Sequence, residues 1–130
     1  MAFEITTSLN DEIWRSFIRD QPSSNIFHTP EMFEVFQRAK GHHPQLFAAK
    51  NDDGKLLALL TPVNVSLHNG ILRRLMTRSI VYGGALYVPD QNGKFALRIL
   101  LRECTRKTKK DVLFTELRNL SDVNTIKDTL

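Results

Sequence analysis

Cysteine is nearly missing from this sequence. The single Cys104 among 130 residues excludes an internal disulfide and a cysteine-rich metal site, and it fits a reducing compartment, with the cytoplasm as the default. Long apolar runs are missing too. No stretch approaches the roughly 18 to 20 residues of a membrane span, and residues 1–10 lack a basic segment followed by an apolar one, so neither a span nor an export signal is read. Charge of one sign is scarce, since 18 Lys and Arg against 14 Asp and Glu leave a formal charge of +4, a mild pull toward a phosphate-bearing partner. There is no internal repeat and no low-complexity tract. What remains, 42% hydrophobic and 25% charged residues with eight Phe and one Trp, is the composition of an ordinary globular chain that buries one core and folds alone. One domain over residues 1–130 is expected.

Periodicity divides the chain. Residues 3–6 alternate as a short strand. Ser8 and Asp11 then resemble a capping box, and Ile13, Trp14, Phe17 and Ile18 form the apolar face of a first helix opposite Glu12, Arg15, Arg19 and Asp20. Thr29-Pro30-Glu31 opens a second helix with a cap, a first-turn proline and an acid against the dipole, and its buried stripe of Met32, Phe33, Phe36 and Ala39 runs to Gly41. Two apolar runs, 46–50 and 56–60, flank the turn Asn51-Asp52-Asp53-Gly54 and read as a hairpin. Pro62 implies a bulge or an edge, because proline cannot donate to a ladder. Alternation resumes at Val63, Val65 and Leu67, and the tight turn His68-Asn69-Gly70 returns the chain through 71–76 and 79–82. Gly83-Gly84 breaks this strand, and a loop through Pro89-Asp90 and Asn92-Gly93 leads to a third helix from about Lys94 with a seam of Leu97, Leu100, Leu101 and Cys104, then a strand over 112–117, then a helix capped by Ser121-Asp122. Helices split around an antiparallel meander predict a mixed α/β (α+β) architecture and exclude a doubly wound parallel sheet.

That order, together with Trp14 in the first helix, Phe27-His28-Thr29-Pro30 opening the second, the meander over 46–82 and Tyr82-Gly83-Gly84 closing it, resembles the Fem-type transferases, which look like two tandem copies of the GNAT acyltransferase fold. The resemblance implies that residues 1–130 correspond to most of the first copy, the N-terminal part of a longer two-copy protein. It further implies an acyl or aminoacyl group passed to an amine acceptor, a peptidoglycan precursor among the candidates. Acyl-coenzyme A or aminoacyl-tRNA would be the donor of the full-length protein, with no cofactor held by this part alone. The implied partners are the missing C-terminal GNAT-like half, a small-molecule or peptide acceptor, and tRNA. Catalytic GNAT domains carry a loop of the form Q/R-x-x-G-x-G/A before the third helix, whose amides bind the cofactor pyrophosphate. Here the segment from Arg78 to Gly84 occupies that place with the wrong spacing, so coenzyme A binding there is not expected.

Candidate residues each have an ordinary reading beside the functional one. Gly83-Gly84 either lets the backbone approach a substrate, with Arg78 and Tyr82 supplying charge and a hydroxyl, or is a turn that needs positive φ. Arg78 and Arg118 are substrate-binding cations or surface arginines. Arg98, Arg102 and Arg106 line one face of the third helix and continue into Lys107, Lys109 and Lys110. They would meet tRNA phosphates, or they form a solvated face with cations at the helix carboxyl end. His28, His42, His43 and His68 lack metal spacing. Cys104 lies in a core seam, Ser23-Ser24 has no nucleophile elbow, and Asp52, Asp53 and Asp90 suit turns better than general base catalysis. Glu116 is the one acid placed on a strand near a cleft. Catalytic residues are not assigned. The alternative to the transferase is a noncatalytic regulatory domain that binds a small molecule or peptide.

Overall fold

The structure is a computed structural model that describes residues 3–66 and 77–108 and the backbone of 115–119. Strand β1 (Glu4–Thr6) leads into helix α1 (Asp11–Asp20), a 3-10 turn (Ile26–His28) and helix α2 (Pro30–Arg38). Strands β2 (His42–Pro44), β3 (Phe47–Lys50), β4 (Leu56–Leu60), β5 (Val63–Ser66), β6 (Thr77–Gly83) and β7 (Leu86–Tyr87) follow, then helix α3 (Gln91–Thr108) and strand β8 (Thr115–Asn119). The expected mixed α/β architecture is the one observed. The turn at 68–70, the strand over 71–76, residues 112–114 and the helix at Ser121-Asp122 lie outside the described residues.

The strands form two four-stranded sheets, β1-β3-β4-β7 and β2-β5-β6-β8. Every pairing is antiparallel except β6 with β8, which is parallel across the crossover through α3. The sheets share their strands' paths. β2 runs on into β3 past Gln45 and Leu46, β4 into β5 past Thr61 and Pro62, and β6 into β7 past Gly84 and Ala85. All three breaks fall at one level, so one long meander is folded along a line that crosses it. Pro62, expected at a bulge or an edge, sits on that line. It has no N–H to give, and its carbonyl accepts the Gln45 amide at 2.8 Å, which carries the pairing across the fold line.

Side chains alternate across the first sheet with a period of two. Phe47, Ala49, Ala58 and Leu60 face α3, where Leu97, Leu100 and Cys104 pack on them. Ala48 and Leu59 face the other way and meet Trp14 and Phe17 of α1. Each such leucine or phenylalanine withdrawn from water contributes about 1.5–3 kcal/mol, and this two-sided packing fixes α1 and α3 against the sheet.

Several details differ from the sequence reading. Asn10, not Ser8, caps α1, its side chain accepting the Glu12 amide at 2.8 Å. Ile13, assigned to the buried face, is 45% exposed because it lies at the margin of the stripe centred on Trp14 and Phe17. α2 starts at Thr29-Pro30 as expected but ends at Arg38, and none of its residues is fully buried, since Phe33 only borders the core edge-on to Trp14 and Phe36 lies on the half-exposed Tyr82 ring. α3 begins at Gln91, three residues before Lys94, because Asp90 takes the Gly93 amide at 2.7 Å and starts the helix there.

Candidate functional site

The fold line brings β6, the 3-10 turn and α2 together. At the end of β6 the backbone of Gly83 and Gly84 turns left-handed, with φ of +77° and +81°, a region that costs other residues about 1–2 kcal/mol. A methyl group on Gly83 would lie 2.5 Å from Asn25 Oδ1 and 3.0 Å from Phe27 Cβ, so the 3-10 turn sits directly against this glycine.

The turn is held there by its own polar groups. Asn25 caps it by accepting the Phe27 amide at 3.0 Å, and its Nδ2 donates to the Gly83 carbonyl at 3.4 Å. His28 is fully buried. Its Nδ1 accepts the Asn25 amide at 3.0 Å, which leaves the proton on Nε2, and Nε2 lies 3.0 Å from the Gly84 carbonyl. Trp14 Nε1 donates to the His28 carbonyl at 2.6 Å. Thr61 donates to the Phe27 carbonyl at 3.3 Å. A chain of hydrogen bonds thus runs from α1 through the turn to the strand break. Burial lowers the His28 pKa from the ordinary imidazole value, and the bond to Gly84 offsets only part of that, so the ring is neutral.

Above this turn the rings form a column. His42 stacks on Phe36 at 5.9 Å, Phe36 on Tyr82 at 5.1 Å, and Tyr82 on Phe27 at 5.5 Å, with interplanar angles of 17°, 16° and 25°. All four residues are half-buried, so their faces are taken by one another and their edges reach solvent. Register places Arg118 beside Tyr82 on the parallel neighbour, and Glu116 beside Ile80.

The candidate residues are therefore partly assembled. Tyr82, Gly83, Gly84 and the backbone of Arg118 adjoin one another, whereas Arg78 is exposed two repeats of the pleat away, opposite Val65. Both glycine carbonyls are engaged by Asn25 and His28, so the turn reading of Gly83-Gly84 accounts for their conformation. His28, Asn25, Phe27 and Phe36 were not singled out as site residues. A buried histidine before a helix cap has no sequence signal of its own, although the Phe-His-Thr-Pro run marked the place.

Elsewhere the candidates resolve simply. Arg98 and Arg102 are exposed on α3, while Arg106 pairs with Glu103 at 2.6 Å and Lys107 reaches it at 3.9 Å. Lys109, Lys110 and His68 lie outside the described residues. Asp53 lies in a turn organised by Asn51, whose Oδ1 accepts the Asp53 and Lys55 amides at 2.9 Å. Cys104 is 4% exposed, and burial pushes its thiol up to about 11. Among the described residues no three His, Cys, Asp or Glu side chains gather as a metal site, and no helix is long and apolar enough to cross a membrane.

Residues 78–84, read as standing in place of the pyrophosphate loop, do not enter α3: β7 intervenes after Gly84, and the chain enters the helix through Val88-Pro89-Asp90, on the loop expected through Pro89-Asp90, while Asn92-Gly93 already belong to the helix. Pro89 has no amide proton, and the Asp90 carboxylate occupies the helix start by accepting the Gly93 amide.

No protein-family model matches the chain, and no curated protein matches it by sequence. Solved structures do. A ribosomal-protein-alanine N-acetyltransferase from Brucella melitensis biovar Abortus 2308 superposes with a TM-score of 0.62 at 12% identity, over 97% of this chain and 87% of its own. A GNAT family acetyltransferase from Staphylococcus aureus gives 0.59 at 8% identity, over 95% and 90%. The aminoglycoside antibiotic 6'-N-acetyltransferase AAC(6')-Ih from Acinetobacter baumannii gives 0.59 at 12%, over 93% and 82%. The fold is GNAT-like. At the start of α3 the Asp90 carboxylate already takes the Gly93 amide, and Pro89 has no amide to offer.

Proposed function

We propose that this GNAT-like domain belongs to a Fem-like acyl- or aminoacyl-transferase, as the first of two copies, and that it supplies acceptor-side surface and not a donor site. The observation that carries this reading is the closed start of α3, where Asp90 holds the Gly93 amide in a fold whose solved neighbours include N-acetyltransferases. A domain of this fold without a pyrophosphate seat needs its donor held elsewhere, and a second copy would hold it. The acyl group would then pass by direct attack of an amine on the acyl carbonyl, a reaction that relies on positioning more than on side-chain chemistry. In this reading Tyr82 and the ring column of Phe27 and Phe36 carry the apolar part of the acceptor, Arg78 and Arg118 meet its anionic groups, and Gly83-Gly84 shape the strand end beneath it. The donor is acyl-coenzyme A or aminoacyl-tRNA on the partner half, the exposed Arg98 and Arg102 being where tRNA would lie, and the setting is cytoplasmic.

The test is a titration of residues 1–130 with acetyl-coenzyme A, aminoacyl-tRNA and a nucleotide-linked peptidoglycan precursor, together with an acyl-transfer assay. The precursor is expected to bind, and neither acetyl-coenzyme A binding nor acyl transfer is expected from this domain alone. Saturable acetyl-coenzyme A binding that adenosine diphosphate displaces, or transfer by residues 1–130, would refute the proposal. A noncatalytic binding domain is the second reading, favoured by the same closed helix start. It is distinguished by a coding sequence that continues into an unrelated signalling domain instead of a second similar stretch.

A further inference from the structure

Helix α2 turns two of its apolar residues inward and leaves the others uncovered. Phe33 meets Trp14 edge-on at 5.6 Å, and Phe36 lies on Tyr82 at 5.1 Å. None of the nine residues of the helix is fully buried, whereas α1 and α3 each bury an apolar face. Val35 is 55% exposed. At about 100° per residue, Met32 and Val35 share a flank beside Phe36, and Ala39 closes it at the C-cap. Ile26, 65% exposed in the 3-10 turn just ahead of the helix, adds to the apolar surface.

The two ends of this flank carry opposite charges. Glu31 stands in the first turn and Arg38 in the last, with Lys40 just beyond. Glu31 and Arg38 are about 10 Å apart along the axis, seven residues at about 1.5 Å each, and Val35 lies near the midpoint. Their present partners, Arg15 and Glu34, are exposed and hold them weakly, and Lys40 carries no ion pair among the described residues. A surface that is apolar in the middle, acidic at one end and basic at the other is complementary to itself when turned end for end. A two-fold axis beside Val35 sets the acidic end of each helix against the basic end of the other, whereas a parallel arrangement would set like charges together. The helix dipoles favour the same choice.

We propose that α2 is the docking face for a second copy of this chain, the two helices packing antiparallel about Val35 with Glu31 of each copy facing Lys40 of the other. Met32, Val35 and Ala39 form the apolar centre of the contact, and Phe36 keeps its place on Tyr82. A contact carried by one short helix is smaller than the roughly 800 Å² per partner of a stable complex, so the dimer should be weak and form only at micromolar concentrations or above. The inference stands on α2 alone and does not depend on acyl transfer.

Sedimentation equilibrium of residues 1–130 from about 5 µM to about 1 mM tests it with no donor or acceptor present. The wild type should pass from monomer to dimer within that range. Val35→Glu should weaken association at least tenfold and, because Val35 is exposed, should keep the wild-type circular dichroism and melting profile. Glu31→Lys alone and Lys40→Glu alone should each weaken association severalfold. An equimolar mixture of those two variants should recover it, because both pairs across the mixed dimer are again of opposite sign. If Glu31→Lys misfolds without its bridge to Arg15, Val35→Cys replaces the exchange of charges. A short bis-maleimide should then join two copies through that position and not through Gln37→Cys, about 200° round the helix, while the buried Cys104 does not compete. A monomer at every concentration, association indifferent to Val35→Glu, a mixture no tighter than either charge variant alone, or equal joining through both cysteine positions would each overturn the proposal, and a monomer would leave the α2 flank to a different partner.

Discussion

Gly83 offers the sharpest test of how the 3-10 turn is seated. Replacing it with alanine forces a side chain into left-handed backbone at φ +77° and places Cβ 2.5 Å from Asn25 Oδ1 and 3.0 Å from Phe27 Cβ. Gly54 is the natural control, because its φ is +79° and nothing lies within 4 Å of the added atom. Gly54→Ala should therefore cost only the backbone strain, about 1–2 kcal/mol. Gly83→Ala carries the same strain and the same stiffening of the unfolded chain. It must also push the Asn25 cap aside, worth about 1 kcal/mol, and loosen the Phe27–Tyr82 stack, worth about another 1 kcal/mol. The difference between the two variants should be about 2 kcal/mol, near 8 °C in Tm for a chain of this length. Urea unfolding followed by circular dichroism and by the fluorescence of Trp14, the single tryptophan, reads both the stability and the turn that Trp14 contacts. If Gly83→Ala costs no more than Gly54→Ala, the turn does not depend on close approach to β6 and the account of the site fails.

Three further outcomes follow from the same geometry. Because burial depresses the His28 pKa below 6.5, the unfolded chain binds a proton that the folded chain refuses, so stability is full above that pH and declines as pH falls below it. The decline should approach about 1.4 kcal/mol per pH unit, and urea midpoints of His28→Gln between about pH 5 and 7 should lack this component. With its thiol raised to about 11 from an ordinary 9.0, Cys104 should react with a disulfide reagent at about pH 8 at least a hundredfold more slowly in the native protein than in denaturant. Ser79 Oγ is buried without a hydrogen-bond partner among the described residues, so Ser79→Ala should be neutral or stabilising by up to about 1 kcal/mol in the same urea assay, and a loss of more than that would show an unrecognised bond.

Long-period patterns were legible in the sequence and short-range geometry was not. The hairpin of β3 and β4 followed from two apolar runs around Asn51 and Gly54, and α2 from Thr29-Pro30, because both signals are local and strong. β2 and β7, of three and two residues, are too short to show alternation and exist only because the long strands continue across the fold line. The same reason blurred the approach to α3. With β7 unseen, residues 78–84 looked like the place of the pyrophosphate loop, and Asp90, in the expected Pro89-Asp90 loop, looked like a turn residue and not a cap. Ile13 was assigned to the core by helical spacing alone, and only the neighbouring hairpin turn and Val88 decide that it borders a cleft. Of the candidate site, Tyr82, Gly83 and Gly84 were legible because a strand ended on paired glycines, whereas the His28 seat depends on contacts between residues more than fifty positions apart.

These pieces bear on one another. The Gly83-Gly84 break re-aims β6 into β7, and β7 delivers the chain to Asp90 within three residues. A connection that short leaves no free amides ahead of α3, since Val88 donates to Leu57, Pro89 has no amide proton, and Asp90 donates to the Val88 carbonyl at 2.8 Å. Lengthening it would have to displace β7 from β4, where Val88 still donates to the Leu57 carbonyl at 2.9 Å. The closed helix start is therefore a consequence of how the strand is broken, and substituting Asp90 with a neutral residue should not by itself create an anion seat. Asp90→Asn is expected to retain the cap and still to ignore adenosine diphosphate in a titration. Binding gained by that single change would mean that charge, and not the path of the backbone, keeps phosphate away.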